Sequence, residues 1–325
     1  MNTFWTHRNV LVTGASGFLG SWVVAELKAR GAKVVGLVRD LPAASRRPLP
    51  LIDAVRTDYT VLGRLEDFDI LLRAINEYEI ETILHLGAQP IVGVANRNPR
   101  STFEANIRGT WNVLEAARQV PGVRRIVVAS SDKAYGEQPK LPYDETMPLQ
   151  GRHPYDVSKS CSDLIAQCYF STYRTPVSIT RCGNFFGGGD LNFSRIVPGT
   201  IRSVIQGEPP LIRSDGKMVR DYLYVRDVAL FYLHLAEAMD DDSLHGQAFN
   251  YSTESQLSVL EITQLILRTM ERLDLQPKIL NEARGEITHQ YLSAAKARQM
   301  LRWQPKYSIE QAIKETVDWY REYFK

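Results

Sequence analysis

Three stretches of the 325-residue chain carry residue types and spacings that can do chemistry together. Tyr155-Asp156-Val157-Ser158-Lys159 sets a tyrosine and a lysine four positions apart at the opening of a helical run. Residues i and i+4 share one helix face, so phenol and ammonium project side by side. A free tyrosine, with a pKa of about 10, is no base near neutrality, but a nearby positive charge favours the phenolate. Such a group can take the proton of an alcohol while hydride leaves the same carbon. The Y-x-x-x-K spacing alone is frequent by chance. Its weight here comes from what precedes it.

Thr13-Gly14-Ala15-Ser16-Gly17-Phe18-Leu19-Gly20 follows an apolar strand and opens a helix. In that context Gly14 permits a tight turn, Gly17 lets backbone approach a pyrophosphate, and Gly20 lets helix and strand pack closely. Free N–H groups at the helix start complete the phosphate cradle. The pattern predicts a nicotinamide dinucleotide. At the end of the second strand Val38 is followed by Arg39 and Asp40. Arg39 suits a 2′-phosphate and tilts the expectation towards NADP, with NAD and a plain surface role for Arg39 left open.

The third stretch, Ala129-Ser130-Ser131-Asp132-Lys133-Ala134-Tyr135-Gly136, ends a strand. Strand C-termini are where open α/β sheets bind ligands. Ser131 is placed to hydrogen-bond a reacting hydroxyl. Asp132 and Lys133 add an acid/base pair that simple alcohol oxidation does not need. A free lysine has a pKa of about 10.4, so a lysine base near neutrality needs a drop of roughly three units. Asp132 next door works against that drop unless the two side chains diverge.

The elements that must position these groups alternate along the chain. Strand-like runs at Asn9–Val12, Lys33–Val38, Thr82–Leu86, Arg125–Ser130 and Val177–Arg181 alternate with helical runs at Ser21–Arg30, Phe68–Tyr78, Phe103–Gln119 and Tyr155–Tyr173. This rhythm predicts an α/β fold, a doubly wound parallel sheet of Rossmann type. After about Gly183 glycines and prolines break the rhythm. Ser258 with Glu261 reads as a capping box for a helix to about Leu273, and Ile309–Phe324 as the last helix. The expected division is a dinucleotide domain over 1–183 with part of 224–253, and a smaller C-terminal lobe from 184–223 and 254–325.

With 39 Lys and Arg against 37 Asp and Glu, the net charge of +2 gives no argument for nucleic acid or a membrane surface. Any anionic ligand must be held by locally placed arginines. Cys161, Cys168 and Cys182 lack metal-ligand spacing, so no metal is expected. Reduced thiols, no apolar run of transmembrane length and a polar start at Met1–Asn9 make the cytoplasm the expectation.

Taken together, TGASGFLG, HLGAQ (85–89), NIRGTWNVLEAAR (106–118), SSDKAYG, PYDVSK and RDYLYVRDV (220–228) resemble the extended short-chain dehydrogenases that act on nucleotide sugars. Within them the chain is most similar to the CDP-glucose 4,6-dehydratases, sharing Ser-Asp-Lys, GNxxGGGD (183–190) and an H-x-Y-L…K-A…L-x-W pattern (289–303). RDYLYVRDV and GLVR (36–39) look more like the epimerase and GDP-mannose dehydratase branches. The resemblance implies dehydration of a nucleotide-diphosphate hexose, with bound NAD(P) returning its hydride. It implies cofactor contacts from Gly14, Ser16, Gly17, Phe18, Leu19, Arg39, Leu86, Ala88, Tyr155 and Lys159, and catalysis by Ser131, Asp132, Lys133, Tyr155 and Lys159. Substrate contacts fall to Gln89, Asn184, Arg220 and Arg284, and a homodimer would form through the two long helices. The nearest rival is a 4-epimerase, which needs no Asp-Lys pair. A reductase consuming free NADPH is a third reading. A non-catalytic dinucleotide-binding regulator is opposed by the intact Tyr155 and Lys159.

Overall fold

The computed structural model describes residues 3–40, 57–282 and 287–325. Strands β1 (Asn9–Thr13), β2 (Lys33–Val38), β3 (Tyr59–Leu62), β4 (Thr82–His85), β5 (Arg125–Ala129) and β6 (Val177–Cys182) alternate with helices α1 (Phe18–Ala29), α2 (Phe68–Glu77), α3 (Val92–Arg97), α4 (Pro99–Phe103), α5 (Gly109–Gln119) and α6 (Pro154–Tyr173). Beyond them come β7 (Asn184–Phe186), α7 (Ile196–Ile205), β8 (Leu211–Ile212), β9 (Val219–Tyr224), α8 (Val225–Ala238) and β10 (Ala248–Tyr251). The chain closes with β11 (Gln256–Ser258), α9 (Val259–Thr269), β12 (Lys278–Ile279), β13 (His289–Gln290), α10 (Ala295–Leu301) and α11 (Ile309–Tyr323).

Seven strands form one parallel sheet in the order β10-β6-β5-β4-β1-β2-β3. All but the first residue of β1 are buried, as are all of β4 and β6. That is why they read as apolar runs rather than as alternating patterns. One core packs α1, α8 and α11 onto one side of the sheet, and a second holds α2, α5 and α6 against the other. The chain leaves β1 for β2 on one flank and later reaches β4 on the other. This makes the β1–β4 crevice the switch point where such sheets bind ligands. A smaller sheet orders β11-β9-β13 with β7 also on β9, and its β13 reaches the turn that follows β5.

The sequence expectations are met in kind and corrected in detail. Helix α1 starts at Phe18, three residues before the expected Ser21, because Gly17 is its N-cap. The run expected as one helix over Phe103–Gln119 is α4, a π turn at Glu104–Arg108 and α5. Strand β3 was not expected from the sequence. Strand β5 ends at Ala129 rather than Ser130, and α9 stops at Thr269 rather than Leu273. The Ser258–Glu261 capping box is present as read.

Gly14 has φ +70°, and a Cβ built there would lie 2.9 Å from Gly87 Cα. Gly14→Ala is therefore expected to cost about 1–3 kcal/mol in urea unfolding. Gly122→Ala, where an added Cβ meets nothing within 4 Å, should stay within about 0.5 kcal/mol of the parent.

Candidate active site

The glycine loop folds onto itself at the mouth of the crevice. Gly17 N–H donates to Gly14 O at 2.9 Å. A Cβ on Gly20 would stand 2.0 Å from the same carbonyl oxygen. Gly17 caps α1 without a side-chain bond, and Ser16 and Gly17 are exposed while Leu19 is buried. Leu86 and Ala88, half-buried, follow the end of β4. Uncapped N–H groups, a positive-φ glycine and space only for backbone fit a dinucleotide pyrophosphate. At the end of β2 the Arg39 side chain is 64% exposed and its Nε donates to Asp40 at 2.6 Å.

Behind the loop sits His85. Its Nδ1 faces Thr13 Oγ1 at 2.8 Å and its Nε2 faces Thr110 Oγ1 at 3.1 Å. Thr110 donates its own proton to Asn106 O at 2.6 Å, so it accepts from Nε2–H, and Thr13 donates to Nδ1. Burial, helped by the charge of Lys159, pushes His85 down to about 3. It is therefore neutral at physiological pH.

Helix α6 opens on Pro154, a residue suited to a first turn. It sets Tyr155 and Lys159 on one face, as the spacing predicted. Lys159 is buried, donates Nζ–H to Ala129 O at 2.7 Å and is pushed by burial down to about 8. Tyr155 is pushed up to about 12, first by burial and then by the charge of Asp132. A hydrogen bond with Ser131 and the charge of Arg195 oppose that rise.

Ser131 caps a short 3-10 turn, Asp132–Tyr135. Its Oγ accepts from Lys133 N at 3.2 Å and donates to Asp132 Oδ1 at 2.9 Å. Ser131 thus touches both Tyr155 and Asp132. Lys133 takes other partners: its Nζ donates to Gln290 Oε1, and its charge lowers the burial-raised Asp156 carboxyl at the start of α6. The Asp132 carboxylate and the Lys133 ammonium thus each bond a different side chain, Ser131 and Gln290. Beneath the turn Arg181 forks onto Asp163 at 2.8 and 2.9 Å, and it donates to Tyr135 OH at 2.8 Å.

Asn106 was not singled out by sequence reasoning. It lies in the π turn, where its amide donates to Gln89 O at 3.1 Å and Ser158 Oγ at 2.8 Å and accepts from Gln89 N at 2.7 Å. Ser158 passes the chain on to Tyr155 O at 2.6 Å. Gln290 and Arg195 were also missed. No local spacing marks them, since each reaches the site from a distant element. Asp221 is buried beside the site, accepts from Leu292 N at 2.8 Å and is pushed by burial up to about 7.

The expected substrate residues are placed unevenly. Asn184 is exposed at the start of β7. Gln89 spends its side chain on its own loop, accepting from Ile91 N at 2.6 Å and donating to Thr102 Oγ1 at 3.0 Å. Arg220 is buried on β9 and donates to the carbonyls of Val219, Ile287 and Thr288 at 2.9, 2.5 and 3.1 Å. Arg284 lies outside the described residues. Among those described, no group of three or more His, Cys, Asp or Glu could hold a metal.

The fold and site define a dinucleotide-dependent enzyme of the epimerase/dehydratase class. The family model for GDP-mannose 4,6 dehydratase matches residues 11–316, and the chain belongs to that family. It is similar to CDP-glucose 4,6-dehydratase of Salmonella typhimurium, 27% identical over 99% of this chain and 93% of the relative. Its fold matches dTDP-glucose 4,6-dehydratase of Bacillus anthracis in complex with NAD, with TM-score 0.83, 26% identity and 97% of each chain covered. It also matches UDP-glucose 4-epimerase of Thermotoga maritima, with TM-score 0.87, 27% identity, and 98% and 100% covered.

Folded His85, at about 3, refuses the proton that an unfolded histidine takes near 6.5. Its contribution to stability is complete above pH 6.5 and is lost as pH falls towards 3. His85→Gln should flatten the decline of the urea midpoint between pH 6.5 and 4.5. Parallel curves for parent and variant would refute the assignment.

Proposed function

We infer that the chain is a nucleotide-sugar 4,6-dehydratase, converting a nucleotide-diphosphate hexose into its 4-keto-6-deoxy derivative, with CDP-glucose first and GDP-mannose second as substrate. The observation that carries this reading is Asp132 and Lys133 turned to different partners beside Tyr155. When bound, the nicotinamide supplies a reversible hydride acceptor for C4 and then a donor for C6. Tyr155 takes the proton of the 4-hydroxyl. The resulting ketone acidifies C5–H, Lys133 takes that proton, and Asp132 protonates the departing 6-hydroxyl to release water. Lys133 then returns its proton to C5. The proton held by Tyr155 balances the one Asp132 has given up, and Ser131, bonded to both, lies between them for the reset.

Net redox is zero, so the dinucleotide stays bound through turnover. Arg39 supports NADP, its guanidinium being a partner for a 2′-phosphate once the link to Asp40 opens. Gln89 and Asn184 are assigned to the sugar, Arg220 and Arg284 to the diphosphate, and 184–223 with 254–325 to the substrate lobe. Free cysteines accord with a cytoplasmic location, and no helix among the described residues is long and apolar enough to cross a membrane. A 4-epimerase is the second reading, supported by likeness in both sequence and fold to UDP-glucose 4-epimerases.

Purified protein without added cofactor, given CDP-, GDP-, dTDP- and UDP-hexoses, should remove one water from one of them, read by product mass. Dinucleotide released by heat should have the mass of NADP. Tyr155→Phe should lower turnover by about 10²–10⁴. Unchanged mass with altered sugar retention would mean an epimerase.

A homodimer through α5 and α6 is supported by apolar side chains on those helices, Trp111 at 42%, Leu164 at 53% and Tyr173 at 54% exposure. Light scattering should give twice the chain mass, and Leu164→Glu should halve it.

A further inference from the structure

The acid and base of the proposed reaction sit on the 3-10 turn after β5, yet one side chain that grips them comes from the far end of the sequence. Gln290 is fully buried, on the two-residue strand β13. Its Oε1 accepts a hydrogen bond from Lys133 Nζ, and its Nε2 donates to the Asp132 carbonyl at 3.1 Å. Both halves of one amide are thus spent on the two adjacent residues of the turn. A glutamine that merely filled space would not need this, and a carboxylate or an alkyl group cannot do both.

The strand that delivers it is fixed from three sides. Gln290 pairs with Arg220 on β9. The Arg220 guanidinium binds the carbonyls of Ile287 and Thr288 just ahead of it. Just behind it Tyr143 N donates to Tyr291 O at 3.0 Å, and Leu292 N donates to Asp221. The amide therefore has little freedom to follow Lys133 if the lysine moves. Lys133 must come to it.

We propose that Gln290 is the positioning residue for Lys133: it accepts one Nζ–H hydrogen bond, and so orients the remaining valences of the nitrogen towards the C5 side of the sugar. The inference rests on the dehydratase reading. It also means that the acid/base machinery on β5 is complete only with β13 of the C-terminal lobe in place. The charged and titratable groups around the turn include Asp132 on it, Asp156 and His153 at the start of α6, Tyr155, Tyr143, Cys182 at the end of β6, Arg195, and Asp221 and Arg220 on β9. Among them the neutral amide of Gln290 holds both Lys133 Nζ and the Asp132 carbonyl.

The test is Gln290→Glu, close in shape but charged, beside Gln290→Leu. A carboxylate against Lys133 holds the ammonium form, so Gln290→Glu should lower kcat about tenfold at pH 7 with KM little changed. The deficit should shrink towards about twofold at pH 9 as the lysine is deprotonated. Gln290→Leu should lower kcat at every pH. In both variants oxidation at C4 needs Tyr155 but not Lys133, so mixing with the sugar should build up absorbance of the reduced nicotinamide near 340 nm. Thermal melts identify a variant that has not folded, and Gln290→Glu alone then decides. A Gln290→Glu pH profile that superimposes on the parent, or an absence of reduced cofactor in a folded, slowed variant, overturns the inference while leaving dehydration intact. A parent enzyme that removes no water from any sugar refutes the reading beneath it instead.

Discussion

Between the ends of β1 and β4 there is no room for a methyl group, and the site is built outward from that closeness. A Cβ on Gly14 would meet Gly87, so only bare backbone can line this wall of the crevice. Thr13 bridges the same gap, accepting from Gly87 N at 3.0 Å and donating to His85. From His85 the bonds run through Thr110, Asn106 and Ser158 to the carbonyl of Tyr155. A chain of hydrogen-bonded residues thus links the glycine loop to Tyr155 through β1, β4, α5, the π turn and α6. The π turn belongs to that path. By widening the helix at Glu104–Arg108 it leaves the Asn106 carbonyl to the hydroxyls of Thr110 and Ser162.

Burial then sets the charges. It drives each group on this path and beside it towards its neutral form: His85 to about 3, Lys159 to about 8, Tyr155 to about 12 and Asp221 to about 7. A phenol near 12 is several units too weakly acidic to serve as a base near neutrality. The Lys159 ammonium by itself does not supply the correction, because it is committed to the Ala129 carbonyl and its charge is felt by His85. Further positive charge must come close to the phenol, and in a dry site one unit charge acts strongly. The resting tyrosine is an acid. The proposed reaction requires added positive charge in the cleft to make it a base.

What the sequence disclosed was whatever depends on neighbours a few residues apart. The glycine loop, the capping box at Ser258 and the shared face of Tyr155 and Lys159 are all set by local geometry, and each is found where it was read. The parallel sheet was legible because strands buried on both faces leave uninterrupted apolar runs. Residues that reach the site from elsewhere were not legible. Gln290 lies 157 positions from the lysine it holds, and Asn106 acts from a π turn that looks in sequence like ordinary helix. Type alone also says nothing of the partners a side chain holds in the free protein. Gln89 and Arg220 have the right chemistry for a ligand, yet the fold engages the side chain of Gln89 in its own loop and the guanidinium of Arg220 with backbone carbonyls.

A scaffold shared by dehydratases and epimerases cannot by itself decide between them, because both begin with the same proton and hydride leaving C4. The difference has to reside in what waits beyond C4. Here that is the turn at Ser131–Lys133. Its first residue joins the tyrosine to the carboxylate, and its last is turned away to an amide from another strand. An adjacent aspartate and lysine would ordinarily neutralise each other and do no acid/base work at either carbon. Separate partners remove that outcome. On the proposed reading the Asp-Lys dipeptide acts as two functional groups because Gln290 on β13 holds the lysine while Ser131 holds the carboxylate.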